Sequence, residues 1–306
     1  MSTERPPTID PVAAARWASL KAASSPWLHE EVGRRMAERL GWIRQKPGTW
    51  VDWEPVRGGL AAHELVRHRY PEARCHVVEA SAHHRHKAEQ ALAKSWWQPG
   101  RWRAAQPVFD TPGDASANMV WANMGLHMAA DPQLLLQRWQ RLLTVDGFLM
   151  FSCLGPDTLK ELRDLYARWG WPAPSHAFTD MHDWGDMLVQ SGFAEPVMDM
   201  ERITLTYETP QKLLEDLSSL GRNLHVARFP GLRARAWRSR LEAKILSDLG
   251  RNDAKLGKTE EKMALTFEVV YGHAFKPVPR VRVGEHSAVS LQDMRAMLHA
   301  GRSSND

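Results

Sequence analysis

The sequence of 306 residues predicts an α/β fold built on a mostly parallel, doubly wound β-sheet. In the first half of the chain, short apolar strands alternate with helices, as parallel strands joined by right-handed crossovers require. The apolar run 148–153 then passes through Gly155-Pro156 directly into a helix. A buried parallel strand ends in this way at the ligand-binding edge of such a sheet.

Composition narrows the class of protein. With 43% apolar and 25% charged residues, the chain can bury the core of one large domain or two modest ones. It has neither a long apolar run nor the charge order of a secretory signal, so we expect a cytoplasmic protein that does not enter a membrane. A net charge of +4 does not indicate nucleic-acid binding. Cys75 and Cys153 lie far apart in apolar contexts, which favours buried thiols over a disulfide or a metal site.

The first predicted element is an N-terminal helix. Acidic residues occupy its first turn, and Val32, Met36 and Leu40 follow at helical spacing. The helix is expected to end near Gly41, and the turn at 46–48 leads into the first strand.

Strand and helix patterns then repeat along the chain. We predict strands at 49–52, 74–79, weakly at 101–108, 118–123 and 148–153, with helices at 60–69, 81–93 and 132–143 between them.

The second half is richer in helices. Two late strands separated by helices suit an antiparallel edge of the sheet. We predict helices at 157–168, 182–191, 210–220 and 232–248, and strands at 197–207 and 263–273.

Three segments carry a resemblance to a known family. Residues 151–163 follow the pattern FSxLGPDTLxELR, residues 180–199 contain DMHDWGDML followed by GFAEPVMD, and residues 265–274 form an apolar closing strand. Over residues 27–277 the chain resembles the S-adenosylmethionine-dependent methyltransferases that esterify malonyl-acyl-carrier protein in biotin synthesis. The resemblance implies a Rossmann-like class I methyltransferase with a mostly parallel seven-stranded sheet and an antiparallel edge strand. It also implies a helical lid at 1–48, a catalytic domain at 49–277 and a polar, disordered tail at 278–306.

The same resemblance exposes a departure in the cofactor loop. The family follows its first strand with an acid and G-x-G-x-G, because the turn needs positive φ and close backbone approach. Here the run 52–59 reads Asp-Trp-Glu-Pro-Val-Arg-Gly-Gly, so that Glu54 and Val56 replace the first two glycines. Either the loop takes another path or the pocket is altered. Asp52, Glu54, Gly58 and Gly59 remain the predicted cofactor-binding residues of this loop.

Two further strand ends are predicted to face the cofactor. Glu79 ends the second strand, where a carboxylate can accept both ribose hydroxyls, although an acid at a strand end is often only solvated. Asn123 matches the family position that lines the methyl-transfer cleft. His127 follows it, either as part of the cleft wall or as a residue at a helix start.

Arginines are the predicted substrate ligands. The resemblance implies that an arginine holds the malonyl carboxylate or the phosphopantetheine, and Arg163, Arg168 and Arg202 are candidates, each with the alternative of a surface charge. The basic segment Arg228–Lys244 is either a solvated helix surface or a docking face for the acidic acyl-carrier protein. A carboxylate nucleophile is ionised at neutral pH, so we assign no general base and no catalytic residue.

Two departures keep a second function open. The cofactor loop lacks its glycines, and Arg16 and Trp17 replace the tyrosine and acid of the family's lid pattern. A methyltransferase-like protein that has lost catalysis and binds a protein partner would show both changes. Methyl transfer to a different acceptor is a third possibility. A dehydrogenase is disfavoured, because no G-x-G-x-x-G follows the first strand.

Overall fold

A computed structural model describes residues 9–22, 24–92, 106–231, 233–252 and 261–279. Backbone contacts divide the chain into two units, 1–276 and 277–306, and the first contains every strand and helix that the structure describes. The predicted tail at 278–306 lies almost wholly outside the described residues and stays a prediction.

One seven-stranded sheet forms the centre of the first unit, in the order β2-β1-β3-β4-β7-β5 with β6 paired to β7. The four strands β1 to β4 are parallel, and β7 is antiparallel to β4, β5 and β6. This arrangement confirms the predicted fold class. The strands are β1 Thr49–Trp53, β2 Arg74–Val78, β3 Ala117–Ala122, β4 Leu143–Leu154, β5 Ala194–Tyr207, β6 Gly250–Asn252 and β7 Glu261–Phe275.

Ten helices accompany the sheet in the described part of the chain. Side chains alternate between the two faces of each central strand, so that Trp50 joins one apolar cluster and Val51 the other. The sheet is thereby buried on both faces, as parallel sheets are. The helices are α1 Pro11–Ser19, α2 Trp27–Arg39, α3 Pro55–Gly58, α4 Leu60–Arg69, α5 Ala82–Leu92, α6 Pro132–Leu142, α7 Lys160–Arg168, α8 Met181–Gln190, α9 Pro210–Leu220 and α10 Arg235–Leu249.

The predicted third strand is reduced to one residue in the described segment. Val108 forms an isolated parallel bridge with His76, and residues 101–105 of the predicted strand lie outside the described residues. The sheet reaches seven strands through β6, which the sequence did not indicate because three residues carry no periodic signal.

The Gly-Pro motif after β4 has a structural role in the sheet. Helix α7 begins at Lys160, later than predicted, because Leu159 has a left-handed backbone (φ 56°) and residues 155–159 dock on β7 instead. The Thr158 hydroxyl lies 3.1 Å from both the backbone N–H and the backbone carbonyl of Glu268, and the Leu159 N–H donates to Thr266. The motif therefore joins the last parallel strand to its antiparallel neighbour.

Two glycines of this framework respond to alanine in opposite directions. A Cβ on Gly272 of β7 would clash with Cε1 and Cζ of the Phe151 ring, whereas a Cβ on Gly185 in α8 would lie 4.0 Å from the Met198 side chain. We expect Gly272→Ala to lower the free energy of unfolding by about 1–3 kcal/mol, since overpacking forces strand and ring apart. Gly185→Ala should raise it by about 0.5–1 kcal/mol through helix propensity.

Urea unfolding followed by circular dichroism would measure both variants. Equal effects on stability would contradict the contacts assigned to these two glycines.

Candidate active site

A cleft of about 590 Å³ opens at the carboxyl ends of β1 and β3, beneath helix α1, which belongs to the predicted lid. Its floor comes from the segments that follow the two strands, including Glu54, Gly58 and Asn123, and its roof includes Trp17. Ligands of open α/β sheets bind at this edge. The topology therefore places the cleft where the sequence predicted a binding site.

The loop after β1 does not place Val56 at positive φ, although Glu54 has a left-handed backbone. Val56 lies in the helical turn α3, and the left-handed backbone falls on Glu54 (φ 56°) and Gly59 (φ 136°). A Cβ on Gly59 would lie 2.8 Å from a carboxylate oxygen of Glu30, and one on Gly58 would lie 2.8 Å from the Asn123 carbonyl. Both predicted glycines are thus required by close packing, and Gly58 and Glu54 also line the cleft.

Asp52 does not reach the cleft. Its carboxylate is buried and lies 2.6 Å from Nδ1 of His63, which is also buried, on α4. Burial raises the pKa of Asp52. The pair holds α4 against the end of β1, so Asp52 has a structural role beside the loop.

Glu79 is turned toward the loop in this structure. Its Oε1 accepts a hydrogen bond from the Val56 N–H at 2.8 Å, and its Oε2 is buried without a hydrogen-bond partner among the described residues. Burial raises the pKa of Glu79 to about 8, so the carboxyl is mostly protonated at neutral pH. To meet a ribose, this side chain would have to leave the Val56 N–H.

Asn123 joins three segments beneath the cleft. Its amide nitrogen donates to the carbonyls of His29 and Gly58, and its amide oxygen accepts from the Ser152 hydroxyl at 2.6 Å. The side chain is only 3% exposed. Asn123 lines the cleft, and all of these bonds hold its walls together.

His29, at the start of α2, offers an acceptor to the site. Its Nδ1 lies 2.8 Å from the carbonyl of Arg57, and because a carbonyl can only accept, this nitrogen carries the proton. Burial lowers the pKa of His29 to about 4, so the ring is neutral. Its Nε2 is then a lone-pair acceptor, without a partner among the residues described, on a side chain that lines the cleft.

Arg57 connects the loop to the lid. Its Nη2 donates to the carbonyls of Trp17 and Leu20, at 2.6 and 2.7 Å, and its guanidinium carbon lies 3.7 Å from the centre of the Trp17 ring. Arg222 lies over the same ring at 5.5 Å and, like Arg57 and Trp17, lines the cleft. Burial lowers the pKa of Arg57, which nevertheless stays charged at neutral pH.

The predicted substrate ligands lie elsewhere. His127 is buried in a 3₁₀ turn, where its Nδ1 accepts from the Leu154 N–H at 3.3 Å and its ring contacts Phe178. The three arginines bind other protein groups and are absent from the described lining of the cleft. Arg163 donates to the Pro156 carbonyl, Arg168 lies 3.7 Å from Asp248, and Arg202 pairs with Asp157 and Glu268.

Curated relatives decide the family. The chain is 38% identical to malonyl-acyl-carrier protein O-methyltransferase of Gallionella capsiferriformans over 266 residues, which cover 84% of this chain and 87% of that protein. It is 39% identical to the protein of the same name from Laribacter hongkongensis, over 83% and 84% of the two chains. The chain belongs to the malonyl-acyl-carrier protein O-methyltransferase family. No family model matches it.

Solved structures agree on the fold of this family member. A candidate methyltransferase of Bacillus halodurans aligns with a TM-score of 0.52 at 12% identity, covering 80% of this chain and all of that one. The YcgJ protein of Bacillus subtilis aligns with a TM-score of 0.51 at 11% identity, over 81% and 99% of the two chains. At these identities the likeness concerns the fold alone.

The residues of this methyltransferase cleft fit S-adenosylmethionine in size and polarity. Cofactor sites usually enclose about 300–1,000 Å³, and this cleft has about 590 Å³ at the expected edge of the sheet. The unpaired donors of Arg57 suit a carboxylate, and the unpaired Nε2 of His29 suits an ammonium or hydroxyl donor. Glu79 does not fit this site in the same way, because its carboxyl group is bonded to the Val56 N–H and not free to accept from a ribose.

Sequence reasoning missed His29, Arg57, Trp17 and Arg222 as residues of the cleft. Arg57 was visible between Val56 and Gly58, but the loop was judged by the glycines that it lacks. His29 looks like any polar helix residue, because only the tertiary contact with Arg57 orients its ring.

The described residues contain no group of three or more His, Cys, Asp or Glu side chains placed to hold a metal ion. None of their helices is long and apolar enough to span a membrane.

The buried Glu79 predicts a pH dependence of stability. Its pKa is about 8 in the folded protein and near 4.5 when unfolded, so the folded state binds more protons between these values. The stabilisation is complete below about pH 4.5 and is lost as the pH rises through 8. Glu79→Gln keeps the acceptor for Val56 but cannot ionise, so its stability should exceed that of the wild type at pH 9 by about 1 kcal/mol or more.

Urea titrations of both proteins from pH 5 to pH 9 measure this difference, in which the titration of all other groups cancels. Parallel stability profiles would show that Glu79 is not held in a protonated, buried state.

Proposed function

We propose that this chain transfers the methyl group of S-adenosylmethionine to the free carboxylate of malonyl-acyl-carrier protein, as a cytoplasmic step of biotin synthesis. The proposal is carried by its membership of the family, at 36–39% identity to three relatives over 83–84% of the chain. The cleft at the carboxyl edge of the sheet supplies the place for this reaction.

The nucleophile needs little chemical help from the protein. A malonyl carboxylate is ionised at neutral pH, so methyl transfer requires alignment of the reactants and exclusion of water, not a strong base. S-adenosylmethionine, when bound, supplies the electrophilic methyl group. Three groups of this chain would orient the reactants. They are the neutral ring of His29, the buried amide of Asn123 and the guanidinium of Arg57.

The lid is held closed at both ends. Asp10 caps α1, pairs with Arg228 at 2.6 Å, and donates its backbone N–H to Leu224 at 2.9 Å. At the other end, Arg57 holds the carbonyls of Trp17 and Leu20. A lid tied in this way would exclude water from the reactants and would have to open for their exchange.

The basic segment supports docking of the carrier protein beside the cleft. Arg228 joins it to α1 through Asp10, and Arg222, which precedes the segment in the chain, lines the cleft. Some of its charges are used internally, since Arg238 pairs with Glu242 and Lys244 lies over Trp169. The exposed Arg235 and Arg240 are the charges that would steer an acidic partner.

The reaction itself is tested with purified protein, S-adenosylmethionine and malonyl-acyl-carrier protein. Mass spectrometry should detect addition of one methyl group to the malonyl moiety, and acetyl-acyl-carrier protein should remain unmodified because it has no free carboxylate. Arg85→Ala, on the exposed side of α5, is a control expected to keep full activity. Absence of methylation with a folded protein would favour the alternative of a silent partner-binding protein.

Charge reversal tests the docking face separately. We expect Arg235→Glu combined with Arg240→Glu to raise the KM for malonyl-acyl-carrier protein about tenfold at low salt, while kcat changes little, because rim charges mainly affect association. The KM for malonyl-pantetheine, which lacks the carrier protein, should not change.

Arg74→Glu is the matched control, because Arg74 is exposed at the amino end of β2, away from the carboxyl edge. An equal rise of KM in that variant would remove the docking role from the basic segment.

A further inference from the structure

The altered cofactor loop introduces a cation into the cleft. Arg57 lies between Val56, which replaces one of the family's glycines, and Gly58, and it lines the cleft. Two backbone carbonyls accept from its Nη2. Its Nε and Nη1 are buried and have no hydrogen-bond partner among the described residues. One N–H on Nε and two on Nη1 are therefore unsatisfied, and because both atoms are buried, a ligand would have to displace part of the surrounding wall to reach them.

Leaving these donors unpaired would be costly. A buried donor without a partner loses its hydration free energy, and the loss is larger for a charged group. Two neighbouring carboxyl groups act on its charge, namely Glu54, which also lines the cleft, and Glu79, which is mostly protonated and bonded to Val56. Neither of them accepts a hydrogen bond from Nε or Nη1 of Arg57. A carboxylate ligand would satisfy both the charge and the donors, because guanidinium and carboxylate geometries match.

Arg222 extends the same positive region to the cleft mouth. It lies over the Trp17 ring, as Arg57 does, and the two positive charges repel each other. An anion between or beside them would relieve this repulsion. Arg222 is exposed and donates to the carbonyls of Ser218 and Gly221, so its contribution should be the smaller.

We propose that Arg57, assisted by Arg222 across the ring of Trp17, forms a carboxylate-binding site inside the cleft. The proposed function supplies two carboxylates of this kind, one on the methionine part of S-adenosylmethionine and one on the malonyl group. The inference rests on the proposed function for the identity of these ligands. Arg57 and Arg222 by themselves indicate only that the ligand is a carboxylate.

Calorimetry with ligands that differ by one carboxylate tests the site without turnover. S-adenosylmethionine is compared with its decarboxylated analogue, and malonyl-pantetheine is compared with its methyl ester. We expect the wild type to prefer the carboxylate form of one pair by about ten- to a hundredfold, and Arg57→Met to reduce that preference to about twofold or less. The affected pair identifies which carboxylate binds.

One control variant separates the loss of a positive charge near the cleft from the loss of the Arg57 site. Arg16→Met removes a positive charge from the same lid helix, outside the described lining of the cleft, and should leave the preference unchanged. A mere loosening of the lid in Arg57→Met would weaken both members of a pair equally, and that outcome overturns the proposal.

The remaining outcomes are also decisive. Should Arg57→Met fail to fold, Arg222→Met is expected to reduce the preference about threefold, and an unchanged preference there overturns the site. A wild-type protein that shows no preference in either pair overturns it as well. Methylation of malonyl-acyl-carrier protein without any such preference would leave the proposed function intact and reject only this site.

Discussion

The side-chain amide of Asn123 is the interaction on which the cleft depends. It binds the carbonyls of His29 and Gly58 and the hydroxyl of Ser152, so that the start of α2, the loop after β1 and strand β4 meet at one buried point. The meeting requires small neighbours, because a Cβ on Gly58 would lie 2.8 Å from the Asn123 carbonyl and one on Gly33 would lie 2.9 Å from its amide nitrogen. The hydrogen bonds of Asn123 therefore require closely packed neighbours without large side chains, and that close packing in turn buries polar groups that must be hydrogen-bonded.

The loop after β1 follows a path that does not need the three glycines of the family's G-x-G-x-G pattern. A helical turn replaces the extended turn, and its strain is confined to Glu54 and Gly59. The Glu30 carboxylate accepts from the N–H groups of Ala61 and Ala62, which stabilises the start of the next helix in place of a local cap. Once side chains occupy glycine positions, the loop can contribute charges to the cleft, which a bare backbone cannot do.

The lid and the basic segment extend this arrangement outward. Asp10 caps the lid helix and pairs with Arg228, so the segment predicted to meet a carrier protein is physically joined to the roof of the cleft. At the opposite end, Arg57 ties the lid to the loop. Because Arg57 both binds α1 and lines the cleft, binding of an anion at the proposed site would be linked to the position of α1 through one side chain.

The sequence by itself determined the fold class, most of the longer strands and helices, and the family resemblance, because apolar periodicity and the segments 151–163 and 180–199 are local properties of the chain. It also located the cleft residues Glu54, Gly58 and Asn123. Only the tertiary structure decided that Arg163, Arg168 and Arg202 bind other protein groups, that Glu79 turns to Val56, and that Arg57 enters the cleft. These outcomes depend on which partners distant segments bring to a buried polar atom, and no local pattern records such partners.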